Sequence, residues 1–272
     1  MRLNRLFVLI AVLALAFVPL TSSAQIALED FVYSPPGIPI AGLNGGSGWA
    51  TAWGKSSPFE KAFKVRNGGL TFPGLLTTGN AAFADYEGST WAFNNRFLAA
   101  AYGAAGTSTW LEYLIRPEVG YGQWGTIGLG VGGFAANGSV QVGLNNDQTG
   151  HYLMIQHWQG GPHLYRVPFN YQVNTTYFIR ARYDFLPGNL VNVYAEVWPT
   201  NMGPAAWVSA SNLYWAGTSY QLQLYSSGNY SYDGFCVGQQ CQPPVPEAGT
   251  MVALGSFLSM GGLFLRRRFA KS

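Results

Sequence analysis

Hydrophobic and polar residues alternate over short segments between Gln25 and Pro246, and other short segments are continuous runs of β-branched and aromatic residues. No long helical periodicity interrupts them. Glycine is abundant, with 35 residues, and turn signals such as Gln159-Gly160-Gly161-Pro162 and Pro187-Gly188-Asn189 separate the segments. This pattern predicts many short strands joined by tight turns.

About a dozen strands without helices are typical of a sandwich or jelly roll, so the sequence predicts an all-β fold with one such domain over residues 25–242. The predicted strands are Leu28–Tyr33, Phe59–Arg66, Leu70–Phe72, Ser89–Phe93, Ser108–Arg116, Gly125–Val131, Ser139–Leu144, His151–Trp158, Leu164–Val167, Thr176–Asp184, Val191–Trp198, Tyr220–Tyr225 and Tyr232–Val237.

The N-terminus has the order of a secretory signal peptide. Arg2 and Arg5 precede an apolar stretch over 6–20, and the small residues Ser22 and Ala24 follow it. We expect cleavage after Ala24, which makes residues 1–24 a signal peptide, and export by the general secretion machinery. The alternative is an uncleaved anchor.

The C-terminal residues 243–272 contain a second apolar segment. No charge occurs over residues 249–265, and a helix of this length would span about 25 Å, near the lower limit for crossing a bilayer. Arg266, Arg267 and Arg268 follow directly and would keep the end of the chain in the cytoplasm. We therefore predict a transmembrane helix, with a buried core helix as the alternative.

Pro246, Glu247 and Ala248 stand just before this helix. The motif, the helix and the basic cluster together resemble the PEP-CTERM tail of exported proteins from Gram-negative bacteria with extracellular polysaccharide systems. The resemblance implies an exosortase-type membrane protease as a partner, because that family is cut at Pro-Glu-Pro. This chain has Ala248 in place of the second proline. The implied route is an inner-membrane-anchored precursor, then the periplasm, cell surface or extracellular matrix.

The net charge of +3 belongs to the two ends of the chain. Six of the fifteen Lys and Arg residues lie there, which leaves nine against eleven acidic residues between Gln25 and Pro246. The body therefore carries no basic patch of the kind that binds nucleic acid, and no nucleic-acid partner is expected.

Only two cysteines occur, Cys236 and Cys241. Two nearby cysteines in an exported chain predict a disulfide that closes a small loop. A structural zinc site is the weaker alternative, because two ligands do not complete one.

The body also resembles the concanavalin/laminin-G-like jelly-roll domains of exported proteins. The similarity lies in Glu29–Tyr33, Leu43–Trp49, Trp110–Pro117, Thr176–Phe185 and Tyr232–Phe235. It implies a fold and an extracellular setting rather than a reaction.

Catalytic motifs are weak. Glycosidases need two carboxyl groups held within about 5–9.5 Å. Glu112 and Glu196 each stand alone on aromatic strands, and Asp85 and Glu87 lie in a predicted loop. No nucleophile elbow or cysteine constellation is present. We expect no enzyme, with a concanavalin-like glycan hydrolase or lyase as the alternative.

Metal ligands are equally sparse. His151 and His157 would share one strand face and His163 follows the next turn, but scattered surface histidines are commoner than a zinc site. The loop over 145–148 offers oxygen ligands, and laminin-G-like folds make Ca²⁺ the candidate ion. Ca²⁺ takes about 6–8 oxygen ligands, and this loop contains only one carboxylate, so an ordinary Asx turn is the alternative. We expect no cofactor.

Aromatic residues are abundant between Gln25 and Pro246, a segment that contains all nine tryptophans and all sixteen tyrosines. Most should fill the gap between two sheets. Trp49 and Trp53, in a glycine-rich segment, are predicted to form an exposed platform for sugar rings. The sequence thus indicates an exported surface or matrix protein that is structural or adhesive, and binding of extracellular polysaccharide is a further hypothesis.

Overall fold

The computed structural model describes residues 25–55, 63–75, 77, 79–84, 91–118, 124–130, 136–239 and 241. Within these ranges all regular structure is β, and fifteen strands form two antiparallel sheets. The sheets pack face to face around one hydrophobic core. The predicted all-β sandwich of jelly-roll type is confirmed.

The first sheet has eight strands in the order β13-β12-β11-β6-β15-β4-β3, with β1 also paired to β15. Its strands are β1 (Gln25–Glu29), β3 (Lys64–Arg66), β4 (Ala81–Ala84), β6 (Ser108–Pro117), β11 (Tyr177–Leu186), β12 (Leu190–Trp198), β13 (Ala206–Tyr214) and β15 (Tyr230–Gly238).

The second sheet has seven strands in the order β10-β9-β8-β7-β14-β5-β2. Its strands are β2 (Gly54–Lys55), β5 (Ala92–Tyr102), β7 (Trp124–Gly130), β8 (Val140–Asp147), β9 (Gly150–Trp158), β10 (Pro162–Pro168) and β14 (Ser219–Ser226).

The core lies between the two inner faces and is rich in tyrosine. Successive side chains of a strand point to opposite faces, so every second residue of β11, from Tyr177 to Phe185, is buried in it. Tyr113 of one sheet donates its hydroxyl proton to the Val142 carbonyl of the other at 2.6 Å, and Tyr183 likewise reaches Val140 at 3.2 Å. The tyrosine rings thus fill the wide gap between the sheets, and their hydroxyl groups are hydrogen-bonded to the opposite sheet.

The predicted strand pattern differs from the structure in several places. Strands β2, β4 and β13 are not among the predicted strands, β1 ends at Glu29 rather than Tyr33, and β5 continues past Phe93 to Tyr102. In β13, exposed positions such as Ser209 and Ser211 weaken the hydrophobic signal of this edge strand. The segment Leu70–Phe72 is no strand of either sheet. Leu70 and Phe72 instead pack on Leu114 and Phe178, on the side of the eight-stranded sheet that faces away from the core.

Cys236 and Cys241 are joined by a disulfide with a Cα–Cα distance of 5.9 Å. The described part of the chain contains no helix long and apolar enough to cross a membrane. The predicted signal peptide (1–24), the motif Pro246–Ala248, the helix over 249–265 and the Arg266–Arg268 cluster lie outside the described residues.

Candidate functional site

Trp49 and Trp53 do not form the predicted exposed platform. Trp53 is 2% exposed, lies against Phe31 at 5.8 Å between ring centroids, and donates its indole N–H to Glu29 at 3.2 Å. Trp49 is half-buried and donates its own indole N–H to the Leu28 carbonyl at 2.9 Å. Burial leaves the Trp53 ring without a face for a sugar, so the prediction is corrected for Trp53, and it stays a prediction for Trp49.

A buried ion pair explains why both tryptophans turn inward. Arg96 of β5 and Glu29 of β1 form an ion pair in which neither side chain is exposed. The Arg96 guanidinium carbon lies 4.6 Å from the Trp49 ring centroid and 5.6 Å from that of Trp53. Burial lowers the pKa of Arg96, and the Glu29 carboxylate opposes this shift. The tryptophans therefore surround a buried cation with ring faces, which is a structural role.

A different aromatic surface lies on the outer side of the eight-stranded sheet, across β6, β11, β12 and β13. We call it the outer tryptophan face, and its members are Trp110, Glu112, Arg180, Arg182, Tyr194, Glu196 and Trp207. Strand register places Glu112 and Glu196 on either side of Arg180, and Trp207 beside Glu196. Directly paired residues share a sheet face, so these four side chains form one row.

The next row adds the rings that flank these charges. Trp110 and Tyr194 lie on either side of Arg182 in register. Tyr194 stacks with Trp207 at 6.0 Å and an interplanar angle of 26°, and Trp207 is 59% exposed. The Arg180 guanidinium carbon lies 3.9 Å from the Trp110 ring centroid. A stacked aromatic pair, exposed at Trp207 and half-buried at Tyr194, therefore stands beside a charged row.

The charged row is only partly solvated. Glu112 is 3% exposed, and its Oε1 lies 2.9 Å from Arg180 Nε, in an orientation that makes an ion pair rather than an aligned hydrogen bond. Burial raises the pKa of Glu112 to about 7; Arg180 opposes this rise and Glu196 adds to it. The Tyr194 hydroxyl donates to Glu196 at 3.4 Å, and burial followed by the Glu196 charge raises the pKa of Tyr194.

Glu112 and Glu196 are therefore not solitary, contrary to the sequence interpretation. They lie two strands apart, which corresponds to about 9.6 Å along the sheet. Only the register of β6, β11 and β12 reveals the pairing, because the residues are 84 positions apart in sequence. Arg180 occupies the position between them, where a glycosidase would need to place the scissile bond.

The raised pKa of Glu112 predicts pH-dependent stability. An unfolded glutamate titrates near pH 4.3, so the native state binds more protons than the unfolded state between that value and about 7. The contribution of Glu112 to the free energy of unfolding should therefore be most favourable below about pH 4. This contribution should fall by roughly 1–3 kcal/mol as the pH rises through 7. Urea unfolding of the wild type and of Glu112→Gln between pH 4 and 8 measures this, and the variant should show a shallower decline.

Part of the decline should remain in Glu112→Gln, because burial also raises the pKa of Asp233 to about 7. Equal slopes for the wild type and Glu112→Gln would contradict the assigned pKa.

The three histidines that were considered as metal ligands have other partners. His157 contacts the Tyr214 carbonyl at 2.9 Å and His163 contacts that of Gln159 at 3.0 Å, while His151 stacks on Tyr171 with ring centroids 4.4 Å apart. Among the described residues, no three histidine, cysteine or acidic side chains are grouped to hold a metal.

The loop considered for Ca²⁺ is organised around Asp147. This carboxylate accepts hydrogen bonds from the backbone and hydroxyl of Thr149, and its other oxygen pairs with Arg166. The Thr149 hydrogen bonds first, and Arg166 next, lower the pKa of Asp147 to about 2. This is the Asx-turn alternative, with an arginine as the counter-ion. The other residues of the loop over 145–148 are Asn145, which is buried, and Asn146 and Gln148.

On the outer face of the seven-stranded sheet, Gln141 and Gln156 lie opposite each other in register and are fully buried, as is Gln223. Edge strand β10 of this sheet is exposed, and its Arg166 lies over the Tyr152 ring at 4.4 Å. The outer tryptophan face differs in placing a largely exposed tryptophan beside a row of charged side chains.

The described residues define a two-sheet jelly-roll protein. No protein-family model matches the chain, and no curated protein sequence is detectably similar. Among solved structures, it is similar to the T. cruzi calreticulin globular domain, at 9% identity and a TM-score of 0.46, over 70% of this chain and 84% of that one. It is also similar to an endo-β-1,4-glucuronan lyase from the fungus Trichoderma reesei, at 12% identity and a TM-score of 0.43, over 78% and 99% of the two chains.

A third similar structure is the carbohydrate-binding module CBM66 from Bacillus subtilis, at 12% identity and a TM-score of 0.38, over 59% of this chain and 86% of that one. Likenesses of this size concern the arrangement of strands and carry no inference about ligand or reaction.

Proposed function

We propose that this chain is an exported surface or matrix protein that binds extracellular polysaccharide through the outer tryptophan face. The observation that supports the proposal most is the exposed Trp207 ring stacked with Tyr194 beside the charged row. Apolar sugar faces pack on flat rings, while their hydroxyl groups pair with charged donors and acceptors. The half-exposed Arg182 stands within this surface to supply such a group, and Glu196, which is 9% exposed, lies next to Trp207 in register.

Truncating the exposed ring tests the site. Trp207→Ala should weaken binding to the polysaccharide of the producing bacterium by about fivefold, since one stacked ring contributes on the order of 1 kcal/mol. Its melting temperature should stay near that of the wild type, because the ring is mostly exposed. Affinity electrophoresis in polysaccharide gels measures the first quantity and differential scanning calorimetry the second.

The matched control is Tyr220→Ala, which removes an exposed ring from the other sheet. It should leave the affinity unchanged. If Trp207→Ala binds as the wild type does, or if Tyr220→Ala weakens binding equally, the outer tryptophan face is not the binding site.

The delivery route forms the second part of the proposal. Its support is the sequence of residues 243–272: a Pro-Glu-Ala motif, an uncharged segment and a basic cluster. We propose that an exosortase-type protease removes this tail after the general secretion machinery has exported the chain. The product would then reside at the cell surface or in the matrix.

Replacing Glu247 by alanine should block removal of the tail in a host that contains an exosortase. Mass spectrometry of the mature C-terminus would then find the tail retained in Glu247→Ala and absent from the wild type. Pro244→Ala, two positions before the motif, is the control and should be processed normally. Identical C-terminal masses for the wild type and Glu247→Ala would contradict the route.

A glycan hydrolase or lyase is the second candidate function. It is favoured by the raised pKa of Glu112, which suits a general acid, and by Glu196 in the same row. Against it, Arg180 fills the position between the two carboxyl groups. Incubation with polysaccharide and assays for reducing ends and unsaturated products separate the functions, since a binding protein releases neither.

A further inference from the structure

A pocket of about 540 Å³ opens at the β3–β4 edge of the eight-stranded sheet, at the opposite edge from β13. We call it the basic pocket. It is lined by Gly37, Lys64, Val65, Arg66, Phe83, Glu118, Asn174 and Asn229. Its volume lies in the range of about 300–1,000 Å³ that is usual for small-ligand sites.

The polar wall of the basic pocket is built around one carboxylate. Oε1 of Glu118 lies 2.5 Å from Arg66 Nη1 and 2.8 Å from Arg116 Nε, and it also accepts a hydrogen bond from the Ser231 hydroxyl at 2.6 Å. Burial alone would raise the pKa of Glu118, but these hydrogen bonds outweigh it and lower the pKa. The acid is therefore ionised, and it holds Arg66 in a fixed position.

The described lining of the pocket contains two basic side chains, Lys64 and Arg66, and one acidic side chain, Glu118. Arg116, which is not part of the lining, pairs with the same carboxylate. Arg66 keeps 36% of its side chain exposed, so its fork of donors can still reach a ligand. Fixed guanidinium groups of this kind pair with carboxylates.

The remaining lining suits a sugar ring. Phe83 offers an aromatic surface next to Arg66, whose guanidinium carbon lies 5.3 Å from the ring centroid. Asn174 and Asn229 line the same pocket with amide groups. The phenylalanine ring can contact the apolar face of a sugar, and the two amides can pair with its hydroxyl groups. The basic side chains can pair with a carboxylate on the same sugar.

We infer that the basic pocket binds a carboxylate-bearing sugar, a uronic acid residue, separately from the outer tryptophan face. Arg66 and Lys64 pair with the carboxylate, and Phe83 contacts the ring. The two sites would let one domain hold a polysaccharide at two points, or hold two chains of different charge.

Calorimetric titration of the full exported protein with a glucuronic acid trisaccharide tests this inference. A glucose trisaccharide and acetate serve as the neutral and bare-anion probes. We expect the glucuronic acid trisaccharide to bind more tightly than either probe. Arg66→Gln and Lys64→Gln should each weaken it about tenfold, the effect of losing a charged hydrogen-bond donor.

Arg166→Gln is the matched control, because it also removes one positive charge, on β10 of the other sheet. It should bind as the wild type does.

Lys64→Gln leaves the Glu118 contacts in place, so a loss of binding in that variant with an unchanged melting temperature is not an effect of misfolding. The inference is overturned by equal affinity for the glucose trisaccharide, by acetate binding as tightly as the uronate, or by wild-type affinity in both pocket variants. Because Trp207 lies outside this pocket, these outcomes are independent of the test of the outer tryptophan face.

Discussion

Arg96→Met is expected to lower the free energy of unfolding by about 3–5 kcal/mol, because it leaves a buried carboxylate without its counter-ion. Glu29 is fully buried and also accepts hydrogen bonds from the Phe31 amide and the Tyr33 hydroxyl, both at 2.9 Å. These neutral donors cannot replace a positive charge. Urea unfolding followed by tryptophan fluorescence provides the measurement.

Two further variants establish the cause. Arg182→Met removes an arginine whose ion pair with Asp184 is largely solvated, and it should cost less than about 1 kcal/mol. The double variant Arg96→Met with Glu29→Leu removes both buried charges and should recover part of the loss. A double variant less stable than Arg96→Met would show that packing around Trp49 and Trp53, rather than the uncompensated charge, dominates.

Trp53→Ala is the second substitution with a large expected effect, a loss of about 3–5 kcal/mol from the cavity it creates. The ring lies against Phe31 and makes an edge contact with Phe235 at 6.2 Å. The loss should appear as a lower midpoint of urea unfolding. Removal of the indole N–H also takes one donor from Glu29.

The matched comparison is Trp207→Ala, the same chemical change at an exposed position. Trp53→Ala should lose stability while the folded fraction keeps its polysaccharide affinity, and Trp207→Ala should show the reverse. If Trp53→Ala unfolds at the wild-type midpoint, the ring is not part of the core, and the assignment of roles to the two tryptophans is wrong.

Strands whose core face carries strong hydrophobic alternation could be predicted from the sequence. Strand β6 was predicted as Ser108–Arg116 and is Ser108–Pro117. Strand β13 was missed, because an edge strand with one exposed face carries serine where a central strand carries a larger residue. Leu70–Phe72 was assigned to a strand, because a short apolar run looks the same whether it belongs to a sheet or packs across one.

The candidate site could not be predicted, because it depends on register. Trp49 and Trp53 looked exposed in a glycine-rich segment, and nothing local shows that Arg96, more than forty residues later, lies beside them. Glu112, Arg180 and Glu196 come from three strands, and each is unremarkable within its own segment. Their alignment follows from how β11 pairs with both β6 and β12.

The all-β sandwich could be predicted from the sequence, because strand periodicity, glycine-rich turns and the absence of helical periodicity are local properties of the chain. The predicted export signals at its two ends rest on the sequence alone in the same way. Which aromatic rings are exposed and which charges meet depends on the tertiary structure, because burial and pairing involve residues that are distant in sequence. Trp53 lies in the core with a buried ion pair, and Trp207 lies on the surface with Tyr194.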